Sequence, residues 1–209
     1  MSQAPRRHAA TLEPREHATA FQVARAFYAV AKPTLAGLSR GRDEGVNFAA
    51  EHSAELPVAA TNLGFALELY LKSVRAWIGL DNPETHDLWV LYKSLPVDVK
   101  GDIEHLYQGE LDAKAPTEIL TLRSIVEHSN TGSPQPPEFP KGNSPQRDVS
   151  NLLRRTKSLA VSWRYPQDSV PAGKRYSTEI AFEHTCLVVL ANALDQFIHA
   201  RTSAPYAAA

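Results

Sequence analysis

The sequence has very little of the chemistry that binds metals or forms covalent cross-links. Its 209 residues include a single cysteine, Cys186, so neither an internal disulfide nor a cysteine-rich zinc site can form. The 8 histidines are never three or four residues apart, which is the spacing that zinc-binding helices need. Cys186 lies in an apolar helical stretch, where a small buried hydrophobic residue is its ordinary role. We therefore predict no metal site, no cofactor and a reducing compartment.

The sequence also lacks the loop motifs of common enzyme classes and the apolar run of a membrane protein. It contains neither of the glycine-rich loops that hold nucleotide phosphates, nor the Gly-x-Ser-x-Gly turn of serine hydrolases. No uncharged apolar run approaches the ~20 residues that a membrane helix needs. Basic residues near the start have no apolar block behind them, so they do not form a secretory signal. We predict a soluble, cytoplasmic protein that does not contact membranes.

An excess of charge of one sign is missing as well. Lys and Arg number 22 against 23 Asp and Glu, and the net charge of −1 excludes the whole-chain basic character of many nucleic-acid binders. The segment from Arg123 to Arg175 nevertheless has five more basic than acidic side chains. A basic surface of this size can still follow a phosphate backbone.

What the sequence does contain is helical periodicity. After Pro57, apolar side chains recur at steps of three and four residues and cover most of the circumference, which predicts a central helix that stops at Gly79. No segment shows the alternation expected of a strand. The other predicted helices are 16–39, 86–95 with Thr85 as its N-cap, 97–111, 118–129, one from about 148, and 177–199. The predicted fold class is all-α.

Composition divides the chain into four parts. They are a loose N-terminal arm (1–15), an N-terminal helical segment (16–56), a helical bundle (57–201) and a C-terminal tail (202–209). Pro33 is expected to end or kink the helix of the second part, because proline lacks the amide hydrogen. Several of the 15 prolines fall within 130–146, which predicts a proline-rich loop inside the bundle.

Three stretches of the sequence resemble the HEPN superfamily. They are Asn62-Leu-Gly-Phe-Ala-Leu-Glu-Leu-Tyr-Leu-Lys-Ser73, Thr85-His-Asp-Leu-Trp-Val-Leu-Tyr-Lys-Ser-Leu-Pro96 and Val161-Ser-Trp-Arg-Tyr-Pro166. The resemblance covers roughly residues 57–200 and implies an antiparallel helical bundle that dimerises. Many members are metal-independent endoribonucleases, often toxins or antiviral effectors. Others are not catalytic and bind RNA, nucleotides or partner proteins.

The resemblance also supplies candidate catalytic residues. Catalytic members carry an arginine followed, after four to six residues, by a histidine, and Arg123-Ser-Ile-Val-Glu-His128 is the one fit in this chain. His128 can move protons near neutral pH, and Arg123 can hold phosphate oxygens and stabilise charge in the transition state. Ser124 and Glu127 are candidates for orienting the imidazole. Candidate RNA or phosphate contacts are Arg154, Lys157 and Arg164.

The predicted helix 118–129 does not by itself bring Arg123 and His128 together. Residues five apart point ~140° apart on a straight helix. A homodimer in which each subunit contributes both residues to a shared cleft relieves this difficulty. The resulting hypothesis is a homodimeric, metal-independent endoribonuclease, as one half of a toxin–antitoxin or phage-defence pair. The alternative is a non-catalytic HEPN bundle that binds RNA, a nucleotide or a partner protein.

Simpler interpretations stay open for the same residues. Arg123 and His128 fit equally a surface arginine and a histidine at a helix end, where the helix dipole favours it. Glu68 and Lys72 are four residues apart and predict an ordinary helix ion pair, worth about 0.3–0.5 kcal/mol if exposed. Burial of that pair would favour a structural role instead. We interpret His86-Asp87 as a helix start and His184 as a core histidine.

Overall fold

The computed structural model describes residues 14–43, 55–115, 118–119, 122–127, 146–156 and 177–202. Within these ranges the chain forms six helices and one pair of strands. In chain order they are α1 (Pro14–Asp43), α2 (Glu55–Trp77), α3 (Leu88–Lys93), α4 (Val97–Asp112), β1 (Leu122–Glu127), α5 (Val149–Arg155), β2 (Ser177–Phe182) and α6 (His184–Thr202). The helices pack as a bundle, so the predicted all-α class is confirmed.

The second helix, α2, lies at the centre of the bundle. It contacts α1, α3 and α6, and it buries apolar side chains on several sides. Leu63, Leu67, Leu71 and Val74 are completely enclosed. A helix that is apolar around most of its circumference has to be covered by neighbours on more than one side. The central position predicted for this segment is therefore confirmed.

Contacting pairs of residues give the directions of the long helices. Ring contacts join Phe21 to Tyr70 and Phe27 to Phe65, so α1 runs antiparallel to α2. Hydrogen bonds and ion pairs show in the same way that α6 runs antiparallel to α1 and to α4. The pairs are Tyr28–Asn192, Arg25–Asp195, Glu110–Gln196 and Asp102–Arg201.

The first helix is longer than predicted and continues through Pro33 to Asp43. Proline removes one backbone hydrogen bond from a helix interior. Pro33 is exposed, whereas Tyr28, Ala31 and Leu35 on either side of it remain buried. Tertiary burial across the proline thus outweighs the lost bond, and residues 40–43, expected to be connector, are helical.

The close packing of α1 against the bundle predicts the effect of enlarging Ala31. Ala31 is fully buried, so Ala31→Leu is expected to lower the free energy of unfolding by about 1–3 kcal/mol through overpacking. Urea denaturation followed by circular dichroism measures the change. Ala26→Leu adds the same side chain at an exposed position of the same helix, where we expect less than about 0.5 kcal/mol. Equal effects at both positions would show that α1 is not packed on the core.

Two segments predicted to be helical are strands. Leu122–Glu127, expected to lie in the helix 118–129, pairs antiparallel with Ser177–Phe182, expected to be the first part of the last helix. The last helix instead begins at His184. Both stretches are short and rich in β-branched residues, and such stretches fit either period. The two stretches become strands because they pair with each other. This pairing joins segments far apart in the sequence, so neither stretch predicts it alone.

The remaining helices agree more closely with the sequence. The predicted helix 97–111 is α4, and the helix expected from about 148 is α5, which Asp148 caps through a hydrogen bond from the Asn151 amide. Residues 157–176, which come after α5, lie outside the described residues. The predicted proline-rich loop lies outside them as far as residue 145.

Candidate functional site

Glu68 of α2 is a buried carboxylate that holds two basic side chains. Its Oε1 atom accepts a hydrogen bond from Lys72 Nζ at 2.7 Å, and its Oε2 atom lies 2.9 Å from His86 Nδ1. Lys72 comes from the next turn of α2, and His86 from the segment that follows the helix. The side chain of Glu68 is 6 % exposed, that of Lys72 21 % and that of His86 64 %. We call these three residues the Glu68 cluster.

The turn after α2 determines where His86 lies. Gly79 has a positive φ of 75°, a conformation that glycine adopts without strain, and the Leu80 amide donates to the Arg75 carbonyl. The guanidinium of Arg75 donates in turn to the Asp81 carbonyl. The Asn82 side chain donates to the Lys72 carbonyl at 3.2 Å. Because several bonds tie the turn to α2, His86 is brought back beside Glu68.

The helix after this turn begins later than predicted, and its cap is Asp87. The Asp87 carboxylate accepts from the Val90 amide at 3.1 Å, and α3 starts at Leu88. Thr85, predicted as the N-cap, accepts a hydrogen bond from the Asp87 amide instead. Asp87 is one residue from the helix start, and its charged acceptor is favoured by the helix dipole. His86 therefore precedes the helix and is free of its hydrogen-bond pattern.

An aromatic and a basic side chain are in contact at the start of α3, close in sequence to His86. The guanidinium carbon of Arg154, from α5, stands 4.4 Å from the centroid of the Trp89 ring, which belongs to α3. Arg154 is exposed and Trp89 is half-buried. Stacked arginine and tryptophan side chains are frequent partners of bases and phosphates in single-stranded nucleic acids. Arg154 is also one of the RNA contacts that the sequence predicts.

The Glu68 cluster has the composition of a proton-transfer site. A carboxylate at Nδ1 fixes the orientation and tautomer of an imidazole and leaves Nε2 to exchange protons. Lys72 places a second positive charge beside the same carboxylate and can contact an anion. The chemistry available here is general acid or base catalysis next to a bound anion, and none of these groups requires a metal.

The residues predicted from the HEPN motif are only partly within the described structure. Arg123, Ser124 and Glu127 lie in β1, where their backbones pair with those of Ala181, Ile180 and Ser177. The helix assumed for Arg123, Ser124 and Glu127 is absent, because these three residues belong to a strand. His128, Lys157 and Arg164 lie outside the described residues.

The sequence contained a signal for the Glu68 cluster. Glu68 lies among apolar residues on the central helix, and a carboxylate in such a position needs partners. The ion pair predicted for Glu68 and Lys72 forms, and Glu68 is buried, which is the case for which the sequence favours a structural role. The helix-start interpretation of His86-Asp87 applies to Asp87 only, because His86 contacts Glu68 instead.

Two further groups singled out in the sequence are buried. His184 is 5 % exposed, and burial lowers the pKa of its imidazole to about 4. Burial raises the pKa of the Cys186 thiol, while a hydrogen bond with Tyr107 opposes that shift. Both residues contribute to the core, as predicted.

No protein-family model, no curated protein and no solved structure matches this chain. In the part of the chain that the structure describes, no helix is long and apolar enough to cross a membrane. The same residues contain no group of three or more His, Cys, Asp and Glu side chains arranged to hold a metal ion. The geometry of the Glu68 cluster is therefore the main guide to function.

The burial of Glu68 predicts a measurable loss of stability. Glu68→Ala is expected to lower the free energy of unfolding by about 1–3 kcal/mol, because Lys72 and His86 lose an enclosed acceptor. Urea denaturation at neutral pH measures the change. The matched control is Glu84→Ala, which removes an exposed carboxylate from the adjoining turn and should cost less than about 0.5 kcal/mol. A loss as small as the control's would contradict the buried role of Glu68.

Proposed function

We propose that this protein is a HEPN-like helical bundle that acts on RNA as a metal-independent endoribonuclease. The observation that supports the proposal is the Glu68 cluster, in which a buried carboxylate orients an exposed histidine beside a lysine. Two of the three stretches that resemble the HEPN superfamily supply its members. The cluster is therefore formed by the same motifs that suggested the family.

RNA cleavage without a metal needs proton transfer and charge stabilisation. His86 accepts the proton of the ribose 2′-hydroxyl, and the 2′-oxygen forms a bond to the adjacent phosphorus as the bond to the 5′-oxygen breaks. The leaving 5′-oxygen takes up a proton from water, and the products are a 2′,3′-cyclic phosphate and a 5′-hydroxyl. Lys72 stabilises the negative charge that grows on the phosphate oxygens. Arg123 and His128 remain a second candidate set for these roles.

The neighbouring surface offers a path for the RNA strand. Arg154 on the Trp89 ring can stack on a base and contact a phosphate. Lys157 and Arg164 stay predicted contacts, in the segment of the chain with the excess of basic side chains. As in the HEPN superfamily, we propose a homodimer, and a cognate antitoxin or defence protein as its partner.

The direct test is cleavage of a mixed single-stranded RNA in the presence of EDTA. We expect wild-type protein to yield fragments with 2′,3′-cyclic phosphate ends, and size-exclusion chromatography with light scattering to show a dimer. RNA substrates with a 2′-deoxynucleotide at the cleaved position must resist cleavage there. Cleavage of DNA, or cleavage that EDTA abolishes, would contradict the proposal.

A non-catalytic bundle that binds RNA is the second candidate. It is supported by the Arg154–Trp89 stack, which can hold a nucleotide without any proton transfer. This candidate predicts that RNA binds in a salt-dependent way but stays intact. An Arg154→Gln variant should then bind more weakly, with affinity measured by fluorescence anisotropy at two salt concentrations.

A further inference from the structure

A cleft whose lining includes no member of the Glu68 cluster lies among the long helices of the bundle. The first helix packs along α2 and touches α6 only lightly, which leaves about 440 Å³ between α1, α4 and α6, with Tyr70 of α2 also lining the space. This volume is within the range of pockets that bind small molecules, about 300–1,000 Å³. Its lining is polar, although the helices around it pack through apolar faces.

Positive charge is concentrated on the α1 side of the cleft. Arg25 and Lys32 are exposed residues two helical turns apart on the face of α1 that lines the cleft. Lys32 Nζ lies 5.9 Å from the centroid of the Tyr28 ring, and Arg25 Nε lies 3.3 Å from Asp195 Oδ1. The guanidinium and the ammonium thus stand at the rim, where they can still bind an anion.

Hydrogen-bond acceptors line the interior. The Tyr28 hydroxyl donates to Asn192 Oδ1 at 2.7 Å, and the Tyr70 hydroxyl donates to Asp195 Oδ1 at 2.9 Å. Burial raises the pKa of both phenols far above the usual range, so they stay protonated. Each phenol therefore uses its hydrogen within the protein, and its oxygen keeps lone pairs for a donor from outside.

Glu110, which lines the cleft, has one carboxylate oxygen with no partner within the described part of the chain. Glu110 Oε1 accepts a hydrogen bond from Gln196 Nε2 at 3.2 Å, but Oε2 is enclosed and accepts none from any described residue. An enclosed carboxylate oxygen without a donor is costly. Because this oxygen is closed to solvent, a charged N–H group of a ligand can pair with it, and remove that cost, only after the Glu110 side chain turns toward the cleft.

We propose that the cleft binds a small zwitterionic molecule, with an amine or guanidinium group on Glu110 and Asp195 and an anionic group facing Arg25 and Lys32. Two acidic and two basic side chains line the space, so a molecule carrying one charge of each sign matches it. A long dianion would face Glu110 and Asp195. A simple cation would offer no anionic group to Lys32, whereas Arg25 already has Asp195 beside it. The inference does not depend on the proposed ribonuclease activity.

Isothermal titration calorimetry with three probes tests the proposal. L-Arginine has a guanidinium at one end and an ammonium and a carboxylate at the other. Agmatine keeps the guanidinium and the ammonium and lacks only the carboxylate, and glutarate has only carboxylates. We expect L-arginine to bind, agmatine to bind at least 10-fold more weakly, and glutarate to give no signal. Adenosine monophosphate is included as a ligand with a different anionic group and an aromatic base.

Matched variants assign the binding to the cleft. Glu110→Gln should weaken L-arginine binding at least 10-fold, and Lys32→Met should weaken L-arginine but not agmatine. Asp98→Asn removes the same charge from an exposed position at the other end of α4 and should bind like wild type. Circular dichroism melting establishes that each variant is folded before it is titrated.

Four results would overturn the inference. These are no heat signal from L-arginine at millimolar concentration, equal binding of L-arginine and agmatine, binding of adenosine monophosphate alone, and unchanged L-arginine binding in folded Glu110→Gln. Ribonuclease activity in the same preparations is a separate readout, so a failure here leaves the proposed function untouched.

Discussion

His86→Ala is expected to lower kcat/KM for RNA cleavage by about 10²–10⁴-fold, the usual contribution of a general acid or base. The Glu68 carboxylate holds His86 Nδ1 and Lys72 Nζ, so the variant removes the proton-transfer group and leaves the anion-binding group in place. The loss should therefore appear in kcat more than in KM. Steady-state cleavage of a fluorescent single-stranded RNA measures both constants.

The pH dependence separates catalysis from structure. If His86 is the general base, the pH dependence of kcat/KM must differ between wild type and His86→Ala. His105→Ala removes an exposed histidine of α4 and should leave the rate and the profile unchanged. His128→Ala is the parallel test of the HEPN motif. A full loss there, with wild-type activity in His86→Ala, would assign proton transfer to His128 and leave the Glu68 cluster a structural role.

The sequence predicted the bundle well where one period dominates. The apolar residues of α2 recur at helical spacing along its 23 residues. A helix buries these side chains against neighbours on several sides, so the period identifies the element. The same reasoning gave α4 to within one residue. It was wrong at β1 and β2, six residues each, because strand and helix periods coincide over so short a stretch. Of the two outcomes predicted at Pro33, an end or a kink, the helix does not end there, because the packing of α1 on α2 outweighs one lost hydrogen bond.

The candidate site was less predictable, because it forms only when the segment after α2 folds back onto that helix. Glu68 and Lys72 are neighbours on one helix, but His86 joins them through the turn at Gly79 and the bonds of Arg75. Sequence patterns near His86 predict that it belongs to the next helix. That prediction gives no contact between its imidazole and Glu68. Spacing along the chain therefore identified the motif residues but not their contact.

Stability is expected to fall as the pH is lowered from 6.5 to 4, because of His184. Burial lowers the pKa of His184 to about 4 in the folded protein, against 6.5 in a solvated histidine, although a hydrogen bond with the Leu35 backbone opposes that shift. Above pH 6.5 the imidazole is neutral in both states and its full contribution is present. Between pH 6.5 and 4 the unfolded state binds a proton that the folded state does not. At about 1.4 kcal/mol per pKa unit, the difference reaches about 3 kcal/mol at pH 4.

The neighbouring Glu183 acts in the opposite direction, so a variant is needed to isolate the histidine. Burial raises the pKa of Glu183, and Arg155, whose Nη2 lies 2.9 Å from Glu183 Oε1, opposes that shift. The folded state thus takes up the Glu183 proton before the unfolded state does, which offsets part of the His184 effect as the pH falls. Urea denaturation of wild type and His184→Gln at pH 7, 6, 5 and 4 separates the two. The loss between pH 7 and pH 4 should be smaller by about 3 kcal/mol in His184→Gln, and unchanged in His105→Gln. Parallel curves for wild type and His184→Gln would mean that His184 is not kept neutral by the core, and that another group controls the acid sensitivity.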